Sequence, residues 1–244
     1  MDGLRRLRRA RDEGVEYLLS VKAEGDQNMQ SSYQWPRVYP ILDTSFIPMT
    51  GREEFLRRLG GGLAEAGVTL LEYRNKTGTE AELLADAAIL RAAMPAGKVK
   101  LILDDRADLI EKTGFGGVHV DAGDMKPAEA RKLLGPGRII GTFGGGAAGM
   151  VPGILDAPVD YFSIGPVFAT RTKQTASPLI GMDGVRRLRA EAGAGPVLVA
   201  IGGITLATAA EAISAGATMV AIAGALFRQH DPAAEFRKWM AALG

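Results

Sequence analysis

The segment whose residues are best suited to bind a ligand or to take part in catalysis covers residues 160 to 173, where an apolar run is followed by hydroxyl and basic side chains. The run 161–164 has the pattern of a buried strand. Gly165-Pro166 ends it, because proline donates no backbone N–H. Hydroxyl and cationic groups donate hydrogen bonds to phosphate, so the turn that follows is a candidate anion site, although a solvated basic loop has the same composition. The turn carries Thr170, Arg171, Thr172 and Lys173.

A second group of charged residues follows three other apolar runs. Glu72, Arg74 and Lys76 alternate along the chain, so a strand would direct all three to the same side. Carboxylates follow the next two runs. Neighbouring carboxylates repel each other unless they share a hard cation such as Mg²⁺. A magnesium site is therefore expected among these carboxylates, which are Asp104, Asp105, Asp121 and Asp124.

Glycine-rich turns close the last two apolar runs, at Gly202-Gly203 and at Ala223-Gly224. Their backbone amides and the dipole of a following helix would suit a second phosphate. The cations and Mg²⁺ would stabilise a departing diphosphate. Two anionic substrates and one metal ion favour a transfer reaction over an isomerisation.

Several of these residues also have a purely structural interpretation. Arg74 and Lys76 would suit ion pairs with Glu72 or with the acidic residues of the third run. His119 follows an apolar strand position, and we interpret it as a core histidine rather than as a ligand or base. His230 is interpreted as a surface residue.

From Val38 onward, apolar runs alternate with stretches that are compatible with helices. The predicted strands cover residues 38–42, 68–73, 99–103, 117–120, 138–142, 160–164, 197–201 and 218–223. Predicted helix caps are Thr50, Thr79, Thr205 and Asp231. Eight such units predict an α/β fold, a parallel (β/α)₈ TIM barrel, with its active site at the C-terminal ends of the strands. A doubly wound open sheet is the alternative.

The first 36 residues differ in character. Residues 1 to about 22 place their leucines near one helical face, which predicts an amphipathic helix on the domain or on a partner subunit. Residues 24–34 are polar and are interpreted as a linker. We therefore expect an N-terminal helix and linker at 1–36 and a barrel at 37–244, with the helix as a possible homodimer contact.

Composition narrows the function classes. The chain has 244 residues, a net charge of +1 and no cysteine. The balanced charge does not favour nucleic acid or an anionic membrane surface as a partner, and the lack of thiols excludes disulfides and thiolate chemistry. No apolar run approaches the ~20 residues that span a bilayer. We expect a cytoplasmic protein that acts on small molecules.

From about Val38 to Phe227, these motifs resemble the thiamine-phosphate synthase family. Tyr73–Lys76 is similar to the family's Gln-x-Arg-x-Lys, and 104–108 to its Asn-Asp-Arg-x-Asp. Residues 117–120, followed by Asp124, look like its Gly-Val-His-Leu segment and downstream Asp. The most specific match is 165–173, similar to Gly-Pro-x-Phe-Pro-Thr-x-Thr-Lys. Ala200-Ile201-Gly202-Gly203-Ile204 completes the set.

The resemblance implies a transferase that joins hydroxymethylpyrimidine diphosphate to a thiazole phosphate and releases diphosphate. It implies Mg²⁺ at Asp105 and Asp124, and catalysis by Lys173, Arg74 and Lys76 acting on the diphosphate. No general base is needed, because the attacking thiazole nitrogen carries no proton. The pyrimidine diphosphate would contact Glu72, Arg74, Lys76, Asp104, Phe143 and Lys173. The thiazole phosphate would contact Thr170, Arg171, Thr172, Gly203, Ala223 and Gly224.

Three positions depart from the family pattern, all on the pyrimidine side: Glu72 replaces Gln, Asp104 replaces Asn and Phe143 replaces Ser. An amide both donates and accepts hydrogen bonds, whereas an ionised carboxylate only accepts. The alternatives are a thiazole tautomerase-like isomerase, which would use a strand-5 histidine, and a non-catalytic barrel that binds a phosphate ligand. The Thr-x-Thr-Lys loop disfavours an indole-forming or similar phosphate-binding barrel.

Overall fold

The computed structural model describes residues 33–95, 97–170 and 177–244. Eight parallel strands form a closed barrel, because the first strand pairs with both the second and the last, and the fourth pairs with the fifth. This closure confirms the predicted TIM barrel and excludes an open sheet. The barrel strands are β1 Val38–Asp43, β2 Leu70–Arg74, β3 Lys100–Asp104, β4 Gly117–Val120, β5 Ile139–Gly146, β7 Tyr161–Ile164, β8 Leu198–Ile201 and β9 Met219–Ile222. A two-residue strand, β6 Gly149–Met150, pairs antiparallel with β5.

Helices connect the strands, and their starts test the predicted caps. Thr79 and Asp231 cap their helices through side-chain hydrogen bonds to backbone amides, and Thr205 forms a capping box. The predicted Thr50 cap is wrong, because Gly51, with φ of 66°, occupies the N-cap position instead. The helices are α1 Arg52–Glu65, α2 Glu80–Ala93, α3 Ile110–Thr113, α4 Pro127–Leu134, α5 Gly181–Ala192, α6 Leu206–Ser214, α7 Gly224–Phe227 and α8 Pro232–Leu243.

Strand alternation divides the apolar residues between two cores. In β2, Leu70 belongs to the barrel interior, whereas Leu71 and Tyr73 pack into the layer between the barrel and the helices. Because side chains alternate along a strand, Glu72 shares the inward face with Leu70. The alternation thus carries Glu72 and Arg74 from the interior to the rim where β2 ends.

The predicted N-terminal helix and nearly all of the linker lie outside the described residues, so the extension stays a prediction. Residues Trp35–Gly244 form one compact unit. None of the helices within the described ranges has the length and apolar character to cross a membrane.

Candidate active site

A cavity of about 670 Å³ opens where the barrel strands end. It brings together residues from strands that are far apart in the sequence, as the barrel topology requires. The predicted site residues that line it are Glu72, Arg74, Lys76, Asp104, Asp124, Phe143, Thr170, Gly203, Ala223 and Gly224. Asp105 contacts this group through an ion pair with Lys76. Arg171, Thr172 and Lys173 lie outside the described residues.

Two cations, at the end of β2 and just beyond it, are paired with carboxylates at the cavity rim. Lys76 forms ion pairs with Asp105 and, at 3.0 Å between Nζ and Oδ2, with Asp104. Arg74 pairs with Asp43 and lies 3.4 Å from Asp104 Oδ2 through Nε. Of the two predicted sets of partners, the structure shows the acidic residues Asp104 and Asp105 rather than Glu72, and it adds Asp43 as a partner of Arg74.

Asp43, at the end of β1, was not singled out in the sequence. Its side chain accepts a hydrogen bond from the Ser45 amide at 2.9 Å, besides its ion pair with Arg74. Although burial opposes ionisation, these hydrogen bonds and the guanidinium lower the pKa of Asp43. Asp43 therefore holds Arg74 at the rim as a charged partner. It directly follows the first apolar run, so the rule applied to the other strand ends would have found it.

Asp105 and Asp124 lie close together, as a shared cation would require. Asp105 has φ of 67°, a conformation that non-glycine residues rarely adopt and that clusters at functional sites. Its Oδ1 atom is buried without a hydrogen-bond partner. Burial raises the pKa of Asp124, and the nearby Asp105 carboxyl raises it further. Within the described ranges, no three His, Cys, Asp or Glu side chains form a complete metal cage.

The ends of β8 and β9 form the opposite side of the cavity. Gly203 has φ of 63°, and a Cβ atom there would lie 2.4 Å from the Ala169 carbonyl oxygen. Only glycine fits this close approach, which brings the Thr170 loop against the end of β8.

Arg228 is a further cavity residue that is absent from the sequence-based set. It stacks over Phe46, with 5.4 Å between its guanidinium carbon and the ring centroid.

A chain of buried hydrogen bonds crosses the cavity floor. Tyr39 Oη donates to Glu72 Oε2 at 2.8 Å and lies 3.0 Å from Tyr161 Oη. Tyr161 Oη lies 3.0 Å from His119 Nδ1, and His119 Nε2 lies 3.2 Å from Asp121 Oδ1. His119 is thus buried, as predicted for a core residue, but it also lines the cavity.

Two members of this chain, Glu72 and His119, have shifted pKa values. Burial raises the pKa of Glu72 to about 7, with a further increase from the like charge of Asp104. Burial alone would lower the pKa of His119, but the hydrogen bond to Asp121 and the charge of Glu72 raise it to about 9. The acidic surroundings therefore favour a protonated His119 at neutral pH.

Apolar side chains form the walls above this floor. Phe143, in β5, has 36% of its surface exposed and faces the cavity with Ile41, Val199 and Ile201. Phenylalanine offers no hydroxyl at this position, where the family has a serine. β5 also carries no histidine, so the acid/base group that a tautomerase would place there is missing.

Tyr39 and Tyr161 were also missed by sequence reasoning. Each sits inside an apolar strand and has the pattern of a core residue, and the two are separated by 122 positions. Nothing local in the sequence indicates that their hydroxyl groups meet.

The fold and this cavity define a (β/α)₈ barrel enzyme whose site, built on opposed carboxylates and cations, suits anionic small molecules. The sequence model of the family described as thiamine monophosphate synthase matches residues 38–226. The chain belongs to the thiamine-phosphate synthase family, whose enzymes are transferases that act on small molecules and use a metal ion.

Individual relatives agree with this assignment. A thiamine-phosphate synthase of Koribacter versatilis is 41% identical over 210 residues, covering 85% of this chain and 97% of that protein. One from Chloroflexus aurantiacus is 35% identical over 177 residues, covering 72% and 80%. The solved thiamine phosphate pyrophosphorylase of Pyrococcus furiosus superposes with a TM-score of 0.70 at 23% identity, covering 85% of this chain and 95% of that one, and supports the fold.

Proposed function

We propose that this cavity condenses hydroxymethylpyrimidine diphosphate with hydroxyethylthiazole phosphate, giving thiamine phosphate and diphosphate. The observation that carries the proposal is the contact between the Lys76 ammonium and the Asp105 carboxylate. This contact supports the proposal, because the cation that we assign to the diphosphate lies directly beside a candidate metal ligand. Family membership supplies the reaction class, and the site supplies the residues for it.

We assign Mg²⁺ to Asp105 and Asp124. Their carboxylate oxygens are the hard ligands that Mg²⁺ prefers, and two carboxylates with water and phosphate oxygens suffice for it. The buried, unpartnered Oδ1 atom of Asp105 fits this role, because an unsatisfied buried oxygen is costly without a cation or a donor. Bound Mg²⁺ would neutralise negative charge on the diphosphate as it leaves.

Arg74 and Lys76 are proposed to bind the diphosphate and stabilise it as the leaving group. In the described structure their charges are balanced by Asp43, Asp104 and Asp105. Diphosphate oxygens would offer these cations further partners when the substrate enters. Lys173, by its position in the family motif, is proposed as the third cation.

The thiazole phosphate is assigned to the opposite side of the cavity. Thr170 and the turns at Gly203 and Ala223-Gly224 line this side, and Arg171 and Thr172 are added from the family motif. The diphosphate and the thiazole phosphate would thus occupy opposite sides, with the apolar walls between them.

A cytoplasmic location, the lack of nucleic-acid and membrane partners, and a homodimer stay predictions from the sequence.

The test is a mass-spectrometric assay of the purified chain with both substrates, first with Mg²⁺ and then with EDTA. We expect thiamine phosphate only when the metal is present. Asp105→Asn and Asp124→Asn should each reduce turnover, whereas Asp156→Asn, at an exposed aspartate, should not. Product formation in EDTA would overturn the metal assignment, and no product under any condition would overturn the proposed reaction.

A further inference from the structure

Arg228 brings a positive charge to the side of the cavity that is formed by the ends of β8 and β9. It is the C-cap of α7, one helical turn beyond Gly224, and its backbone N–H donates to the Gly224 carbonyl oxygen at 3.3 Å. Both residues line the cavity, so Arg228 lies on the same side as the Ala223-Gly224 turn. The other cavity residues that follow these two strands, at 202–205 and 223–225, have no ionisable side chain.

An aromatic ring supports the Arg228 guanidinium. The guanidinium carbon lies 5.4 Å from the centroid of the Phe46 ring, which is within the range of a cation–π interaction. The Phe46 ring also stacks on Phe227, with 6.0 Å between the ring centroids and 27° between the ring planes. Phe227 is buried in the core. It therefore fixes the ring on which the exposed Arg228 side chain rests.

No carboxylate balances the charge of Arg228 within the part of the chain that the structure describes. The cations on the opposite side of the cavity, Arg74 and Lys76, form ion pairs with aspartates. The described partner of Arg228 is the neutral Phe46 ring. An anion that enters this side would thus meet a cation without first displacing a carboxylate from it.

The charge matters for the kind of ligand that this side prefers. The backbone amides and the Thr170 hydroxyl donate to a neutral oxygen as well as to an anionic one. A phosphate ester carries about 1.5 to 2 negative charges at pH 7, whereas the corresponding alcohol carries none. A guanidinium is always charged and suits phosphate geometry, so it adds binding free energy for the ester and not for the alcohol.

We infer that Arg228 is a specificity-determining residue that selects the phosphate ester of the thiazole over the free alcohol, and that Phe46 positions its guanidinium. This inference rests on the proposed function, which supplies the thiazole phosphate as the ligand. Arg228 lies just beyond residues 38–226, which match the family model. The contact is therefore an addition of this chain to the binding residues that the family motifs supply.

The test is calorimetry with hydroxyethylthiazole phosphate at pH 8 and low salt, with Mg²⁺ and inorganic diphosphate present to occupy the opposite side. Arg228→Gln should weaken the thiazole phosphate about tenfold, the lower end for a hydrogen bond to a charged group, because the side chain is exposed. The Kd of inorganic diphosphate, titrated alone with Mg²⁺, should not change. Arg237→Gln removes the same charge at an exposed arginine of α8 and should alter neither affinity.

Two further variants separate the charge from its support. Arg228→Lys keeps a positive charge and should weaken the thiazole phosphate less than Arg228→Gln does. Phe46→Leu removes the aromatic ring and should weaken it about threefold, the size of a cation–π interaction at an exposed site. Phe46→Tyr restores a ring and should restore the affinity. A purely structural role of the ring would instead weaken inorganic diphosphate by the same factor.

Three results would overturn the inference. They are an unchanged affinity of Arg228→Gln for the thiazole phosphate, an equal loss of affinity for inorganic diphosphate or for hydroxyethylthiazole, and no binding of the thiazole phosphate by the unaltered chain.

The outcomes also separate this inference from the proposed function. If the unaltered chain makes thiamine phosphate and Arg228→Gln binds the thiazole phosphate normally, only the role of Arg228 fails. If the chain makes no thiamine phosphate but Arg228→Gln selectively loses the thiazole phosphate, the role of Arg228 stands and the proposed reaction fails. If the unaltered chain makes no product and does not bind the thiazole phosphate, both fail.

Discussion

Asp104 Oδ2 lies 3.0 Å from Lys76 Nζ, so the cation that we assign to the diphosphate already forms an ion pair with a carboxylate. The same oxygen lies 3.4 Å from Arg74 Nε. Asp104 therefore competes with an anionic substrate for both cations, and its own charge opposes the approach of that substrate.

Asp104→Asn should strengthen diphosphate binding. The amide keeps the shape of the side chain but removes the competing charge, so the Kd for inorganic diphosphate with Mg²⁺ should fall about fivefold, equivalent to about 1 kcal/mol. Isothermal calorimetry measures this directly. A weaker affinity in the variant would show that Asp104 helps to hold the cations in place for the ligand.

Lys76→Ala should slow the reaction far more than it affects folding. Removing one preorganised charge that acts on the leaving group commonly costs about 10²- to 10³-fold in kcat. The effect on folding should be smaller, because about a third of the Lys76 side chain is already accessible to solvent. Steady-state kinetics should show the loss mainly in kcat. Lys98→Ala, at an exposed lysine outside the cavity, is the control and should keep full activity.

Phe143→Ser should be tolerated. The ring is partly exposed in the cavity wall rather than enclosed in the core, so its removal leaves little buried empty volume. We expect unchanged stability in thermal unfolding and an equal or lower KM for the pyrimidine diphosphate, because a hydroxyl can hydrogen-bond the ring. A complete loss of activity would mean that the pyrimidine ring of the substrate is held by contact with the Phe143 side chain.

His119 should make stability depend on pH. Its pKa is raised from 6.5 to about 9, so its stabilising contribution is fully present below pH 6.5 and is lost as the pH rises through 9. The free energy of unfolding should fall by up to about 3 kcal/mol across this range.

Denaturant titrations from pH 7 to 10 measure this fall. The slope should flatten in His119→Gln but persist in His230→Gln, at the exposed second histidine. A wild-type stability that stays constant over this range would contradict a protonated His119 in the folded chain.

Much of this architecture follows from short-range patterns. The period of two in β2 is enough to place Glu72 and Arg74 on one face, with Lys76 continuing it to the rim, and the eight apolar runs are enough to predict the barrel. These features depend only on neighbouring residues and on the rule that parallel strands end at the same edge.

Other features depend on pairs that only the closed barrel brings together. The hydroxyls of Tyr39 and Tyr161 meet inside the barrel although the two residues are 122 positions apart. A tyrosine in an apolar strand has the same local pattern whether its hydroxyl is bonded to Glu72 or to water. The hydrogen-bond chain could therefore not be predicted from the sequence.

The pairing of β1 with β9 also has a consequence for synthesis on the ribosome. β1 emerges early, but its partner on one side, around Val220, is among the last barrel residues to be translated. Until then β1 has an open edge, and open strand edges can pair with other chains. A nascent chain that stalls before β9 should therefore need protection by chaperones, whereas release of the complete chain closes the edge.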